Sequence, residues 1–446
     1  MKVSEPLVSF KETIVGVSKQ ELIDRKAYIA KLNEQRLREQ EVEHLDVVGD
    51  VDDFGDSDDE QKEDVIDRID SVFGARFDDT KITAVVPLSG KTVTFSVEAV
   101  PLKSSLICFV EEHEDDIQDL LHFVSRIDID DDDHCCSTMP DAQSMGKHLE
   151  FEQKFRAKIS SEMDIGEIAA FGPQNTGCNM LVMKDEALRS RCSLFDRLHG
   201  ADSVRNEEQV QGDREWTEWF LDLMHRALRN GFQKVTARGP LCGEPMYGVG
   251  FVVDGLRIEN TANDQGVEPQ DEQWMISQIM SHFGDCCVSS FLSASARLVQ
   301  PMYRVFIQGT TDVLGAIYDV IGKRKGKITG DSIVEGTNLF DIYAVLPVIE
   351  SFGFTQQLRS ETAGNVVPQM TFSHFELIEE DPLWIPMTQS EIEEYGNIAH
   401  GQSDYKLDRY DYVKGLVHTV RTRKGLQTDV QTVESPEKQS NRSRKK

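Results

Sequence analysis

Residues 301–328 read PMYRVFIQGTTDVLGAIYDVIGKRKGKI, and residues 340–377 read FDIYAVLPVIESFGFTQQLRSETAGNVVPQMTFSHFEL. The spacing of apolar residues predicts four strands and two helices. The strands are Met302–Gln308, Lys327–Val334, Phe340–Leu346 and Gln369–Leu377, and the helices are Asp312–Lys325 and about 349–362. This β-α-β-β-α-β order predicts a ferredoxin-like unit. Right-handed crossovers place both helices on one face of its sheet, which leaves the other face free to meet another domain or RNA.

Glycine positions sharpen these boundaries. Gly326 is expected to end the first helix, because a residue free to adopt positive φ is favoured at that place. Upstream, the clearest helix spans residues 214–230, which Asp213 is expected to cap and Gly231 to stop.

The remaining segments predict an α+β protein with several units. The predicted elements are a strand at 5–15 with few nearby partners, an exposed helix at 19–44, an acidic linker at 45–70, a hairpin at 81–97, a short helix at 114–125, a loop at 130–146, a strand at 248–253, a helix at 271–296, helices at 388–398 and 404–422, and a disordered tail at 435–446.

The charge composition of the chain limits the kinds of nucleic-acid contact that can be expected. The chain has 446 residues and a formal net charge of -30, which argues against nonspecific nucleic-acid binding by the whole chain. The charge is uneven, however: residues 41–80 hold 16 acidic and 3 basic residues, whereas residues 401–446 hold 6 acidic and 11 basic ones. An RNA contact is therefore expected only locally, toward the C-terminal end.

The cysteine spacing and the hydropathy of the chain indicate a cellular compartment. The eight cysteines include two adjacent pairs, Cys135-Cys136 and Cys286-Cys287, and their spacing does not predict a secreted disulfide framework. We expect no secretory signal at Met1–Glu5 and no membrane span, because no run of about 18 uncharged apolar residues occurs. A reducing cytosol or nucleus fits this pattern best.

Several stretches share an order and spacing with a known family. They are Phe171-Gly172-Pro173, Thr176–Leu181, Gly239–Val249, Arg297-Leu298, Pro301–Tyr303, Leu346–Phe354 and Phe372–Phe375. The chain thus resembles the C-terminal part of elongation-factor-2-like translational GTPases, without their GTP-binding domain. The resemblance implies residues 1–16 as the end of a domain III-like strand, 17–80 as a helix and acidic linker, 81–300 as a domain IV-like unit of the ribosomal S5 domain 2-like fold, 301–380 as a ferredoxin-like domain V, and 381–446 as a helical extension with a basic tail.

Two details select a branch of that family. Ile276–Met280 lack the modifiable histidine that elongation factor 2 carries at the tip of domain IV, whereas Asp381–Pro386 and Arg421–Leu426 resemble the tail of the elongation-factor-like GTPase, or ribosome assembly protein Ria. The resemblance implies late cytoplasmic maturation of the large (60S) ribosomal subunit. Its implied partners are that subunit and its rRNA, eukaryotic initiation factor 6, whose release it promotes, and the Shwachman–Bodian–Diamond syndrome protein. A translocation factor similar to elongation factor 2 is the alternative within the family.

A nucleotide site is not expected on this chain. Gly90-Lys91-Thr92 is the only near match to a P-loop, but it falls between two predicted strands, and Val85 stands where the first glycine is needed. We therefore expect a hairpin turn, no cofactor, and no GTP hydrolysis by the chain alone, with GTP and Mg²⁺ belonging to the full-length family protein.

Basic and partner-facing residues are the candidate functional groups. Lys323, Arg324, Lys325 and Lys327 follow a predicted helix, where cations also suit the helix dipole, so rRNA phosphate contact and a structural role are both open. The second basic cluster is Arg421, Arg423 and Lys424. By resemblance, the second helix of domain V faces a partner, with Glu350, Ser351 and Phe354 as its candidate contacts.

Other candidate sites have simpler interpretations. His134-Cys135-Cys136 lacks the spacing of a zinc site and predicts an acidic loop. His282, Cys286 and Cys287 predict a core helix, and we expect no metal and no catalytic residue. A noncatalytic ribosome- or RNA-binding module is the alternative of another class. That class needs exposed aromatics on the central strands, and the alternation of Val305, Phe306, Ile307, Phe340 and Tyr343 does not decide which of them share a face.

Overall fold

The computed structural model describes residues 8–16, 81–88, 91–130, 142–162, 166–185, 188–189, 194–195, 213–260, 272–383 and 411–426. The strands are β1 (Lys11–Ile14), β2 (Lys81–Leu88), β3 (Lys91–Pro101), β4 (Glu167–Gly172), β5 (Asn179–Met183), β6 (Val249–Asn260), β7 (Ala296–Thr310), β8 (Lys327–Ile333), β9 (Leu339–Pro347) and β10 (Gln369–Leu377). The helices are α1 (Ser104–Glu112), α2 (Glu114–Asp130), α3 (Ala142–Glu162), α4 (Asp213–Ala237), α5 (Glu272–Ser293), α6 (Leu314–Lys323), α7 (Phe354–Glu361) and α8 (Asp411–Lys424), and 3₁₀ turns occur at Thr311–Val313 and Val348–Ser351.

The predicted β-α-β-β-α-β order is confirmed in β7–β10. These strands pair antiparallel in the order β8-β9-β7-β10. Every second residue of the central strands, such as Val305 and Ile342, enters a core with Ile317 of α6 and with Phe354 and Leu358 of α7. Both helices therefore cover the same face of the sheet, which we call the helix face, and the opposite face carries no helix of this unit.

Helix boundaries differ from prediction at two glycines. The second helix begins only at Phe354, because Val348–Ser351 form a 3₁₀ turn and Gly353 adopts a left-handed φ of 73°. After α6 the left-handed residue is Lys325, with φ of 55°, and not Gly326. Gly326 has a different reason to be glycine: a Cβ there would lie 2.6 Å from Ile321 Cγ2.

Strand β1 has a partner after all. It pairs antiparallel with the start of β7, so that Val299 is matched to Lys11 on one side and to Leu377 of β10 on the other. Strand β1 therefore occupies the same edge of β7 as β9, farther along the strand. The strand therefore has few partners nearby in sequence, as predicted, because the strand it pairs with lies more than 280 residues farther along the chain.

The second sheet has the order β2-β3-β6-β5-β4, with β5 and β6 parallel and the other pairs antiparallel. Helices cover both of its faces, and all five residues of β5 are buried. Leu181 and Met183 pack in the core that contains α4 and α5, whereas Met180 and Val182 pack with α1, α2 and α3. The predicted hairpin at 81–97 is the β2–β3 pair, whose register closes at Leu88 opposite Lys91.

Helix α4 continues to Ala237, so the predicted stop at Gly231 is wrong. A Cβ at Gly231 would lie 2.8 Å from Phe283 Cδ1 of α5. The glycine therefore permits close contact between two helices and does not terminate one. Similarly, α2 reaches Asp130 and α3 begins at Ala142, so the predicted loop at 130–146 is helical at both ends.

Several predictions fall on residues outside the described ranges. They are the helix at 19–44, the acidic linker at 45–70, the helix at 388–398, the tail at 435–446 and the His134-Cys135-Cys136 cluster. The predicted helix at 404–422 is described from Asp411, as α8. No described helix has the length and apolar character that a membrane span requires.

Candidate functional site

The two sheets meet at a junction formed by β1, α8, the segment Gly239–Pro245 and the adjoining turn that Asn179 fixes. The segment Gly239–Pro245, which we call the clamp segment, lies between β1 and α8. Glu12 of β1 is fully buried there, and its carboxylate accepts backbone N–H bonds from Leu241 (2.8 Å), Cys242 (2.8 Å) and Glu244 (3.0 Å). Those bonds satisfy donors that would otherwise be buried without a partner.

Helix α8 contacts the carbonyl groups of the same segment. Arg421 Nη1 donates to the carbonyls of Pro240 (3.1 Å) and Leu241 (2.6 Å). Lys424 Nζ donates to the Gly243 carbonyl at 2.9 Å and pairs with the Glu244 carboxylate at 2.7 Å. Two of the three basic residues predicted to touch RNA in this cluster therefore hold α8 on the clamp segment. Arg423 is exposed.

Asn179 fixes the adjoining turn. Its side chain is fully buried, and Nδ2 donates to the carbonyls of Gly172 (2.9 Å) and Met246 (2.7 Å). Its Oδ1 accepts from the Val249 N–H at 3.0 Å. One amide thus ties the end of β4 to the start of β6, and each of its three hydrogen bonds is made to the backbone.

The junction also holds a half-buried cation. Lys11 Nζ lies 4.1 Å from the ring centroid of Tyr247 and 4.0 Å from that of Phe375. Burial lowers the pKa of Lys11, and the two ring faces partly compensate the lost hydration. Several of the stretches quoted for the resemblance, including Phe171-Gly172-Pro173, Thr176–Leu181 and Gly239–Val249, thus converge at this junction.

Burial raises the pKa of Glu12 to about 7, although the three backbone N–H bonds act in the opposite direction. The folded state therefore retains a proton that the unfolded chain releases near its ordinary pKa of 4.5. We expect the free energy of unfolding to fall by up to about 3 kcal/mol as the pH rises through this window. Denaturant titrations at pH 5 and pH 7.5 measure the difference, and Glu12→Gln, which cannot titrate, should lose this pH dependence. An unchanged dependence in Glu12→Gln would assign it to other groups.

Most of the first basic cluster has partners within the chain. Arg324 donates from Nε to Gln357 Oε1 (2.8 Å) and from Nη1 to the carbonyls of Glu350 (2.5 Å) and Phe352 (2.8 Å). It therefore fixes the 3₁₀ turn and α7 against the end of α6. The sequence left rRNA contact and a structural role open for this arginine, because its acceptors, two of them carbonyls, leave no signature in the side chains.

The lysines of this cluster differ among themselves. Lys325 Nζ lies 3.0 Å from the ring centroid of Tyr412 in α8, and Lys327 Nζ lies 2.5 Å from Glu376 Oε1. Lys323 is exposed and makes no hydrogen bond or ion pair with any described residue. Of the four predicted contacts, Lys323 is thus the cation with the most freedom to meet a phosphate.

The predicted partner-facing residues also separate. Glu350 and Ser351 are half-buried in the 3₁₀ turn, whereas Phe354 has no exposed surface. Phe354 therefore cannot contact a partner, which corrects that expectation, because its ring fills the core under α7. The exposed aromatic of this segment is Phe352, at 44%.

The remaining candidates have structural roles. Lys91 and Thr92 lie in β3 of the hairpin, which does not have the strand–loop–helix geometry of a phosphate cradle. Cys286 and Cys287 are buried in the main core, as predicted, and burial raises the pKa of the Cys286 thiol to about 11. No group of three or more metal-ligating side chains occurs within the described ranges.

Ile276–Met280 lie within α5, where Ile279 is fully buried. The segment compared with the histidine-bearing tip is therefore helical and partly buried. Residues 261–271, between β6 and α5, contain no histidine.

Comparison with known proteins finds similarity to an elongation factor G domain and to proteins named for ribosome assembly. Residues 297–385 match the family model described as the elongation factor G C-terminus. Ribosome assembly protein 1 of Schizosaccharomyces pombe is 30% identical over 373 residues, which cover 80% of this chain and 34% of that protein. Elongation factor-like GTPase 1 of Homo sapiens is 28% identical over 490 residues, covering 100% of this chain and 39% of that protein. Ribosome assembly protein 1 of Saccharomyces cerevisiae is 30% identical over 79% of this chain and 29% of that protein. The chain spans about a third of the length of these curated relatives.

Proposed function

We propose, because this chain belongs to the elongation-factor-G-like family and is related along its length to ribosome assembly protein 1 and elongation factor-like GTPase 1, that it takes part in late maturation of the large ribosomal subunit in the cytoplasm. The observation that supports this most directly is the elongation factor G C-terminal domain at 297–385 in a chain whose relatives are named for ribosome assembly.

In this proposal the chain docks and does not perform chemistry. Residues 81–300 act as a domain IV-like unit of the ribosomal S5 domain 2-like fold, and residues 301–380 act as a ferredoxin-like domain V placed on large-subunit rRNA. Together with the Shwachman–Bodian–Diamond syndrome protein, the whole protein promotes release of eukaryotic initiation factor 6. GTP and Mg²⁺ belong to the whole protein, and this chain supplies neither ligands nor a catalytic group for them.

The mechanism proposed is a change of domain arrangement that depends on the nucleotide state of the whole protein. The junction supports a rigid transmission, because the Glu12 carboxylate of the first sheet bonds backbone groups of the clamp segment, which Arg421 and Lys424 also hold. When one sheet rotates, the other sheet therefore rotates with it.

Sedimentation with purified 60S subunits tests the proposal. We expect the chain to co-sediment with 60S and not with 40S subunits at low salt, and to bind no GTP. Binding should weaken as salt rises, because phosphate contacts release counterions. Failure to co-sediment with 60S subunits, with or without bound eukaryotic initiation factor 6, would overturn the proposal.

A further inference from the structure

Two aromatic rings lie together on the face of the β7–β10 sheet that carries no helix. Phe306 of β7 is directly opposite Tyr343 of β9, with ring centroids 5.3 Å apart and an interplanar angle of 42°. Their neighbours in sequence, Val305 and Ile342, point into the core on the helix face. Tyr343 is 42% exposed. The structure thus decides what alternation along the sequence left open, since one aromatic from each central strand reaches the same free face.

Polar groups surround this aromatic pair. Arg304, two residues from Phe306 on the same face, is exposed and has no hydrogen-bond or ion-pair partner among the described residues. Gln369 lies opposite Phe306 on β10, and Gly330 lies opposite Tyr343 on β8. A Cβ at Gly330 would meet nothing within 4 Å, so the outer side of the Tyr343 ring is uncovered.

The chemistry of this face favours nucleotides over a protein domain. Apart from the two rings, the sheet positions beside them carry one apolar residue, Val345, next to Arg304, and are otherwise polar or glycine. A face that packs against another domain needs a contiguous apolar centre. Unpaired bases can bind without an apolar centre. They require an aromatic ring to stack on, a cation near the phosphate and amide groups at the base edge.

We propose that this face, centred on Phe306 and Tyr343, binds unpaired bases of single-stranded RNA by stacking. The inference rests on the proposed function and deepens it, because it names the class of RNA and moves the contact from the basic segment after α6 to the opposite side of the sheet. Tyr343 and Phe306 stack on bases, and Arg304 contacts a phosphate.

Fluorescence anisotropy of a labelled ten-nucleotide single-stranded RNA tests the proposal with the full chain. We expect the single strand to bind and the same RNA annealed to its complement not to bind. Tyr343→Ala should weaken binding by roughly tenfold, since a base–aromatic stack contributes about 1–3 kcal/mol. Tyr343→Phe should retain binding, because it keeps the ring. Arg304→Ala should make the slope of log affinity against log salt shallower by about 0.7, which corresponds to one lost phosphate contact on a single strand.

Phe352→Ala is the matched control, because Phe352 is an equally exposed aromatic that lies in the 350–353 segment next to α7. It should bind RNA as the unchanged chain does, and the thermal midpoint of each variant shows that it folds. Equal loss in Phe352→Ala and Tyr343→Ala, or no binding of the single strand, overturns the inference. If Tyr343→Ala loses 60S sedimentation while no RNA oligonucleotide binds, the face contacts protein and the RNA assignment is wrong. If the chain co-sediments with 60S subunits without binding the oligonucleotide, this inference alone fails; oligonucleotide binding without 60S sedimentation contradicts the proposed function alone.

Discussion

Replacing Glu12 by alanine is expected to lower the free energy of unfolding by about 3–5 kcal/mol, because three buried backbone N–H groups lose their acceptor. Water cannot readily replace the carboxylate in a site with no exposed surface. Chemical denaturation at pH 8, above the Glu12 pKa of about 7, measures the change, which should appear as a lower midpoint.

Two further variants serve as comparisons for the stability of Glu12→Ala. Glu335→Ala, at an exposed position after β8, should stay within about 0.5 kcal/mol of the unchanged chain. Glu12→Gln should fall between them, because its amide keeps one acceptor oxygen but turns a donor toward one N–H group. A Glu12→Ala midpoint equal to that of Glu335→Ala would show that the clamp segment holds without this carboxylate.

Replacing Asn179 by aspartate is expected to lower the free energy of unfolding by about 4 kcal/mol at pH 7. The substitution changes almost no volume. It places a buried carboxylate oxygen against the carbonyls of Gly172 and Met246, which now accept from Nδ2 at 2.9 Å and 2.7 Å. Calorimetric melting measures the loss, part of which should be recovered at acidic pH, when the carboxyl group can donate one hydrogen bond.

Asn338→Asp is the control for the added charge. Asn338 is exposed and has no partner among the described residues, so its thermal midpoint should barely change. If both aspartate variants melt alike, the buried amide contributes little, and the turn is held by the strand pairing of Gly172 with Asn179 alone.

Periodicity located the C-terminal unit because its strands and helices are short and follow one another. It could not find the partner of β1, since pairing between residues more than 280 positions apart depends on the whole fold. It also misread Gly231 as the end of a helix and expected positive φ at Gly326, whereas the left-handed residue is Lys325. A side chain at Gly231 would meet Phe283 of another helix, and one at Gly326 would meet Ile321 of the helix that precedes it.

The junction residues did leave a signal that was not used. Phe10, Glu12 and Ile14 share one face of β1 by their two-residue spacing, and all are buried. A carboxylate on an otherwise apolar face requires buried donors, so Glu12 is a predictable anchor even though its partners are not. The basic clusters show the reverse: Arg324 and Arg421 resembled RNA contacts in sequence, but their guanidinium groups bond to backbone carbonyls.

The bonds of Glu12 to the clamp segment span 229, 230 and 232 positions in sequence. At about 5–20 residues per second, translation takes roughly 10–50 seconds to produce that segment after Glu12 has been made. Helix α8 follows about 180 positions later still. Throughout this interval the nascent chain carries Val8, Phe10 and Ile14 without their native neighbours. The segment around Glu12 is therefore a natural place for a chaperone to act until the clamp segment has been made.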